Sequence, residues 1–122
     1  MKRYTKDHEW VEIDGEEAVV GISKHAAEEL GDITYVELPA EQSQIKAGDS
    51  LGVIESVKAA SDVYSPVGGT VVAVNSLLED RPELVNASAE GEGWICRIAE
   101  FDEAGLATLM TADAYAKFIK AK

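Results

Sequence analysis

The sequence predicts a mainly β fold, a small sandwich or barrel with short helices at its margins. Three observations carry this. Apolar runs are short, turn-forming residues interrupt them at roughly eight- to twelve-residue spacing, and helical periodicity takes over only in the last stretch of chain. No internal repeat or low-complexity linker divides the 122 residues, so residues 1–122 read as one domain with room for its own core.

Each element follows from local chemistry. Glu9-Trp10-Val11-Glu12-Ile13 alternates polar and apolar, Asp14-Gly15 is a turn pair that tolerates positive φ, and Ala18-Val19-Val20-Gly21-Ile22 returns as the second arm of a hairpin. Ser23 is placed to cap a short helix over Lys24 to Leu30, and Gly31 to end it. A strand from Ile33 to Leu38 stops at Pro39, which has no N–H to give to a ladder. Further strands are expected at Ser50 to Ser56, Ser61 to Ser65, Thr70 to Asn75 and Trp94 to Ala99. Between the last two, Leu77 to Asn86 reads as a loop with a helical turn. In the tail, Leu106, Leu109 and Met110, then Tyr115, Phe118 and Ile119, recur at three- and four-residue spacing. That pattern predicts two short helices divided near Thr111, with apolar faces turned to the core. Gly48, Gly52 and Gly69 are read as serving backbone shape rather than chemistry.

The balance of 23 Asp plus Glu against 11 Lys plus Arg leaves a formal net charge of -12. Such a surface repels phosphate backbones and anionic lipid, which argues against nucleic-acid and membrane-surface partners. The single cysteine, Cys96, excludes an internal disulfide and any multi-cysteine metal site. A continuous strand would put Trp94, Cys96 and Ile98 on one face, making Cys96 a packed core thiol. MKRYTKDHEW carries no apolar run or cleavage pattern, and no stretch approaches the roughly 20 apolar residues of a bilayer span. A cytoplasmic monomer is the expectation. His8 and His25 stand seventeen residues apart with no cysteine or acid tying them together at ligand spacing, so no metal site is expected. His25 reads as a surface or cap residue. No Ser-His-Asp order, phosphate loop or close carboxylate dyad stands out, which favours a carrier over an enzyme.

The informative segment runs from Gly48 to Asn75, GDSLGVIESVKAASDVYSPVGGTVVAVN. Lys58 sits between two strand-like runs, with small or polar Ser56, Ala59, Ala60 and Ser61 around it. If the runs pair, Lys58 occupies the exposed tip of a hairpin. A solvated amine there is a poor base or nucleophile unaided, but it offers a long stem on a rigid corner that an enzyme can acylate.

Glu55-Ser56-Val57-Lys58-Ala59, followed by Ser61-Asp62-Val63-Tyr64-Ser65-Pro66 and Gly69, resembles a lipoyl attachment hairpin. More narrowly, the chain resembles the glycine cleavage system H-protein family. Thr5-Lys6-Asp7-His8-Glu9-Trp10-Val11, Gly31-Asp32-Ile33, Val36-Glu37-Leu38-Pro39, Pro82-Glu83-Leu84-Val85-Asn86 and Gly91-Glu92-Gly93-Trp94 match that family in order, so the resemblance spans Tyr4 to about Phe118. One departure is Ala89, where many members carry an aromatic residue; it bears on packing near Trp94.

The resemblance implies a lipoyl/biotinyl-type β sandwich (a barrel-sandwich hybrid) with short flanking helices, an attachment hairpin at 48–75 and C-terminal helices at about 102–121. It also implies lipoate in amide linkage on Lys58 and a non-catalytic shuttle. The partners implied are a pyridoxal-phosphate glycine decarboxylase (P protein), an aminomethyltransferase (T protein) and a flavin-dependent dihydrolipoyl dehydrogenase (L protein), together with a lipoate-attaching enzyme. The location is the cytoplasm of a bacterium, or the mitochondrial matrix for a processed eukaryotic protein. Two acids are candidates to hold the ammonium of a loaded arm in a partly dry cleft: Glu9, in the motif that lines the family's cleft, and Asp62, four residues after Lys58. Glu55, three residues before the lysine, is a candidate recognition charge for the attaching enzyme. Rival readings are a biotin carrier domain, which usually flanks its lysine with methionines rather than Val57 and Ala59, and a dehydrogenase lipoyl domain, which lacks the Asp7-His8-Glu9-Trp10 opening and the helical tail. A third is an H-like lipoate relay that no longer serves glycine cleavage.

Overall fold

The fold, a computed structural model, describes residues 2–121, and Met1 and Lys122 lie outside the described residues. A short strand β1 (Lys2–Tyr4) leads into β2 (Glu9–Asp14) and β3 (Glu17–Ile22). These last two form the expected hairpin, but Asp14 is still paired, opposite Glu17, so the turn is Gly15-Glu16, one residue later than expected. Helix α1 (Lys24–Leu30) has the foreseen caps: Ser23 Oγ accepts from the Ala26 N–H, and Gly31 closes the helix through its N–H to the Ala27 carbonyl. Strand β4 (Ile33–Glu37) ends short of Pro39, and a two-residue strand β5 (Gln44–Ile45) follows the polar loop.

Next come β6 (Ser50–Ser56), β7 (Ala60–Tyr64) and β8 (Gly69–Val74), the latter two each starting one residue earlier than expected. Two short helices, α2 (Leu77–Asp80) and α3 (Leu84–Ser88), fill the stretch expected to hold a single helical turn. Strand β9 (Cys96–Ala99) precedes α4 (Glu103–Leu106), β10 (Met110–Thr111) and α5 (Ala112–Lys120). The tail divides at Thr111 as expected, because the Thr111 hydroxyl accepts from the Ala114 N–H and starts α5, but the first helix stops at Leu106 and Met110, expected on it, pairs with Tyr4 as a strand. Asp113 in the first turn of α5 and Lys117 and Lys120 in its last turn complement the helix dipole.

The strands form two antiparallel sheets, β10-β1-β2-β3-β9-β8-β5 and β4-β6-β7. Their facing sides make the main core: Val11, Val20, Val71, Cys96 and Ile98 meet Ile33, Val36, Leu51, Ile54 and Val63. A second cluster lies on the opposite face of the larger sheet, where α5 brings Tyr115 onto Tyr4, Trp10 and Val19. Burial on both faces explains why Ala18-Val19-Val20 reads as a continuous apolar run instead of an alternation.

The second cluster also corrects one expectation. Trp94 does not share a face with Cys96 and Ile98. The neighbours Ile95 and Cys96 both enter the main core, so the alternation is broken there, and Trp94 packs against the second cluster on the outer side. Cys96 is the expected core thiol: it has no exposed surface, and burial pushes its pKa up to about 12. Ala89 is buried, and its carbonyl accepts the Trp10 indole N–H at 3.0 Å, so the residue contributes its backbone to the seat of Trp10.

Gly52 carries out the role expected of it. At the β-bulge between Ser50 and Gly52, the β6 backbone comes so close to β4 that a Cβ on Gly52 would lie 1.9 Å from the Glu37 carbonyl oxygen.

Candidate functional site

The hairpin tip is built by short-range hydrogen bonding. Glu55 pairs with Ala60 across β6 and β7, leaving Val57, Lys58 and Ala59 in the connection just beyond Ser56. The Ser56 N–H donates to the Ala59 carbonyl at 2.8 Å. Its hydroxyl oxygen accepts from the N–H groups of both Lys58 and Ala59, each at 3.1 Å. Such a serine closes a turn through its own side chain. The Val57 N–H donates to the Asp32 carbonyl at 3.1 Å, tying the tip to the chain beyond α1. Lys58 therefore projects from a braced corner, and it is exposed. Sequence reasoning had Ser56 only as a small polar neighbour; the signal it missed was a hydroxyl two residues before a turn lysine.

Gly31 was foreseen only as a helix cap. Its φ of 80° suits a helix cap, but a second constraint acts there: a Cβ on Gly31 would meet Lys58 Cε at 3.2 Å and Nζ at 3.9 Å. The lysine stem lies over the end of α1 because this cap has no side chain. Asn86 holds the cap in place, its Nδ2 donating to the Gly31 carbonyl at 2.8 Å and its Oδ1 accepting from the Ile33 N–H at 2.9 Å.

The acids separate by environment. Glu9 is 2% exposed, which rules out a solvated surface acid. Its Oε1 accepts from the Thr5 hydroxyl at 2.6 Å and its Oε2 from the Tyr64 N–H at 3.3 Å. Burial pushes its carboxyl above the ordinary range, and those two hydrogen bonds pull the other way. Through Tyr64 the start of β2 is pinned to the end of β7. Asp62 is exposed on β7 opposite Val53 and shares the strand face of Tyr64, about 7 Å along the strand at the usual rise. Glu55 is exposed on β6, opposite Tyr35 of β4. Among the described residues no hydrogen bond or ion pair joins Lys58, Glu9, Asp62 and Glu55 to one another; β7 is what sets Glu9, Asp62 and the tip in line.

The histidines need a correction. The sequence offered nothing to tie His8 to His25 and set a metal site aside, yet the fold brings their rings to 5.1 Å between centroids, tilted at 45°. The acid overlooked is Glu29, one helical turn after His25, with its Oε1 3.3 Å from His25 Nε2. Nor does His25 cap its helix, since Ser23 does.

Comparison with known proteins agrees over the whole length. The family model described as glycine cleavage H-protein matches residues 2–122. A glycine cleavage system H protein of Phenylobacterium zucineum is 53% identical over 117 residues, covering 96% of this chain and 97% of its own. A protein named putative glycine cleavage system H protein, mitochondrial, from Schizosaccharomyces pombe is 48% identical over 119 residues, covering 98% of this chain and 70% of its own. The crystal structure of a glycine cleavage system H protein from Mycobacterium marinum superposes with a TM-score of 0.88 at 34% identity, covering 98% of this chain and 96% of that one.

Proposed function

The chain belongs to the glycine cleavage H-protein family, and from that membership we propose that Lys58 is the residue that takes lipoate in amide linkage. Its role is that of a lipoyl carrier in glycine cleavage. The observation that carries the assignment to Lys58 is its place at an exposed, hydrogen-bonded tip between β6 and β7. The tip fits the group: the amine is accessible to an acylating enzyme, and the bare Gly31 cap leaves its stem room to lie down. Amide formation removes the ammonium charge. When bound, lipoate supplies a dithiolane that takes up the aminomethyl group of glycine, gives it up again and is reoxidised.

This chain's own residues position and shelter. Ser56 holds the direction in which Lys58 leaves the hairpin. Asp62 on β7 and Glu9, which reaches the end of β7 from β2, offer carboxylates to a cationic amine at the end of the arm, Glu9 from a buried and therefore strongly interacting position. Glu55 presents a charge to the lipoate-attaching enzyme. The partners on this reading are the glycine decarboxylase, the aminomethyltransferase and the dihydrolipoyl dehydrogenase, with the chain itself non-catalytic. It works in a bacterial cytoplasm or a mitochondrial matrix. No helix among the described residues is long and apolar enough to cross a membrane.

Intact mass followed by peptide mapping tests the attachment: lipoate is expected on the peptide containing Lys58, and lipoate on another lysine overturns the assignment. The acids are tested together. Glu9→Gln with Asp62→Asn is expected to raise hydrolysis of the loaded arm about tenfold, the worth of one charge-assisted hydrogen bond. An unchanged rate removes both from the role. Glu55→Ala is expected to slow lipoylation of the unmodified protein by up to about fivefold, as befits one exposed charge pair of about 1 kcal/mol. The time course of intact mass decides it.

A further inference from the structure

We propose that His8, His25 and Glu29 form a binding site for a divalent transition metal of the zinc, cobalt and nickel class. One ligand atom from each of the three residues lies within 4.8 Å of the other two. Around a tetrahedral ion with bonds of about 2.0–2.2 Å, ligand atoms sit roughly 3.4 Å apart. His25 Nε2 and Glu29 Oε1 are already at that separation, 3.3 Å. Drawing in the third ligand takes up to about 1.4 Å of side-chain adjustment, which exposed Glu29 and half-buried His8 and His25 can supply.

Both halves of the site are braced, and Ser23 is common to the two. His25 and Glu29 project from one face of α1, a helix capped by Ser23 at its start and Gly31 at its end. His8 stands on the loop before β2 with φ 70°, a left-handed conformation that histidine adopts more readily than most residues but that still needs support. That support is present: the His8 N–H donates to the Thr5 carbonyl at 3.2 Å, and its carbonyl accepts from the Ser23 N–H at 2.8 Å. Ser23 thus fastens the His8 loop and starts the helix that carries the other two ligands.

An outer partner is in place as well. His8 Nδ1 lies 2.6 Å from the Tyr115 hydroxyl, which in turn meets Ser23 Oγ at 2.7 Å. A second hydrogen bond of this kind orients a metal-bound imidazole and sets its tautomer. Ligation through Nε2 of His8 keeps that bond intact. Two imidazoles and one carboxylate suit zinc, cobalt or nickel, while calcium and magnesium prefer all-oxygen sets. Three protein ligands leave the fourth tetrahedral position open, as in zinc sites that exchange a ligand.

The test is titration of the metal-stripped full chain with Zn2+ followed calorimetrically, and with Co2+ followed by its visible absorption, both with and without the lipoyl arm. One saturable equivalent, a tetrahedral Co2+ spectrum and a rise in Tm on binding are expected in both forms. His25→Ala and Glu29→Gln should each weaken binding at least tenfold, and Tyr115→Phe about tenfold through the outer partner. Glu28→Gln, the neighbouring acid on α1, should leave it unchanged. Glu29 is exposed, so its variant keeps the test valid even if His25→Ala folds poorly. Absence of saturable binding overturns the site. So does binding that needs the arm, that survives both ligand substitutions, or that falls equally in Glu28→Gln.

Discussion

Lys58→Arg is expected to abolish lipoylation and carrier turnover while leaving the fold intact. Arginine keeps the long cationic stem, so the exposed tip loses no packing, and stability should stay within about 0.5 kcal/mol of the parent. What arginine lacks is an amine that can be acylated, because its guanidinium stays protonated and its nitrogens are poor nucleophiles. The tip itself is held by backbone N–H groups and the Ser56 hydroxyl, none of which involves the Lys58 side chain. Intact mass after exposure to a lipoate-attaching enzyme should show no adduct. Glycine decarboxylation reconstituted with the three partner enzymes should fall to background, with far-UV circular dichroism and Tm unchanged. Turnover sustained by the variant would end the assignment of the arm to Lys58.

Gly52→Ala should be the most damaging small change to the scaffold. A methyl group there would stand 1.9 Å from the Glu37 carbonyl oxygen, and that oxygen belongs to backbone, which no side-chain rotation can move aside. β4 and β6 must separate at the bulge, or β6 must shift its register against β7. Over-packing of this kind costs about 3 kcal/mol, which for a chain of this size is a fall in Tm of about 10 °C. The hairpin that presents Lys58 shares this strand, so lipoylation should slow alongside the loss of stability. A thermal melt decides: a Tm within a degree or two of the parent would mean that the sheet yields more easily than this geometry allows.

The parts of the fold legible beforehand are those written in local chemistry. Ser23 and Gly31 bracket α1, Thr111 starts α5, and two strand-forming runs separated by a glycine turn make the hairpin. The unforeseen elements, β1, β5 and β10, are two or three residues long. No periodicity can show in so short a run; each is a strand only because a partner lies beside it, as Met110 does beside Tyr4. Trp94 was misplaced for a related reason. Alternation was extended from Cys96 back to Trp94, but Ile95 and Cys96 both enter the main core, which leaves Trp94 to the outer cluster around Tyr115.

The same division runs through the site. That Lys58 would sit at an exposed turn was decided by residues within a few positions of it, since antiparallel neighbours with a short connection meet without help from the rest of the chain. Its surroundings were decided by tertiary packing. Gly31 beneath its stem, Glu9 buried against the Tyr64 amide, and Glu29 beside two histidines all join segments far apart in sequence. Whether a carboxyl ends up in water or in the interior depends on which sheet closes over it, and a sequence read one window at a time does not carry that information.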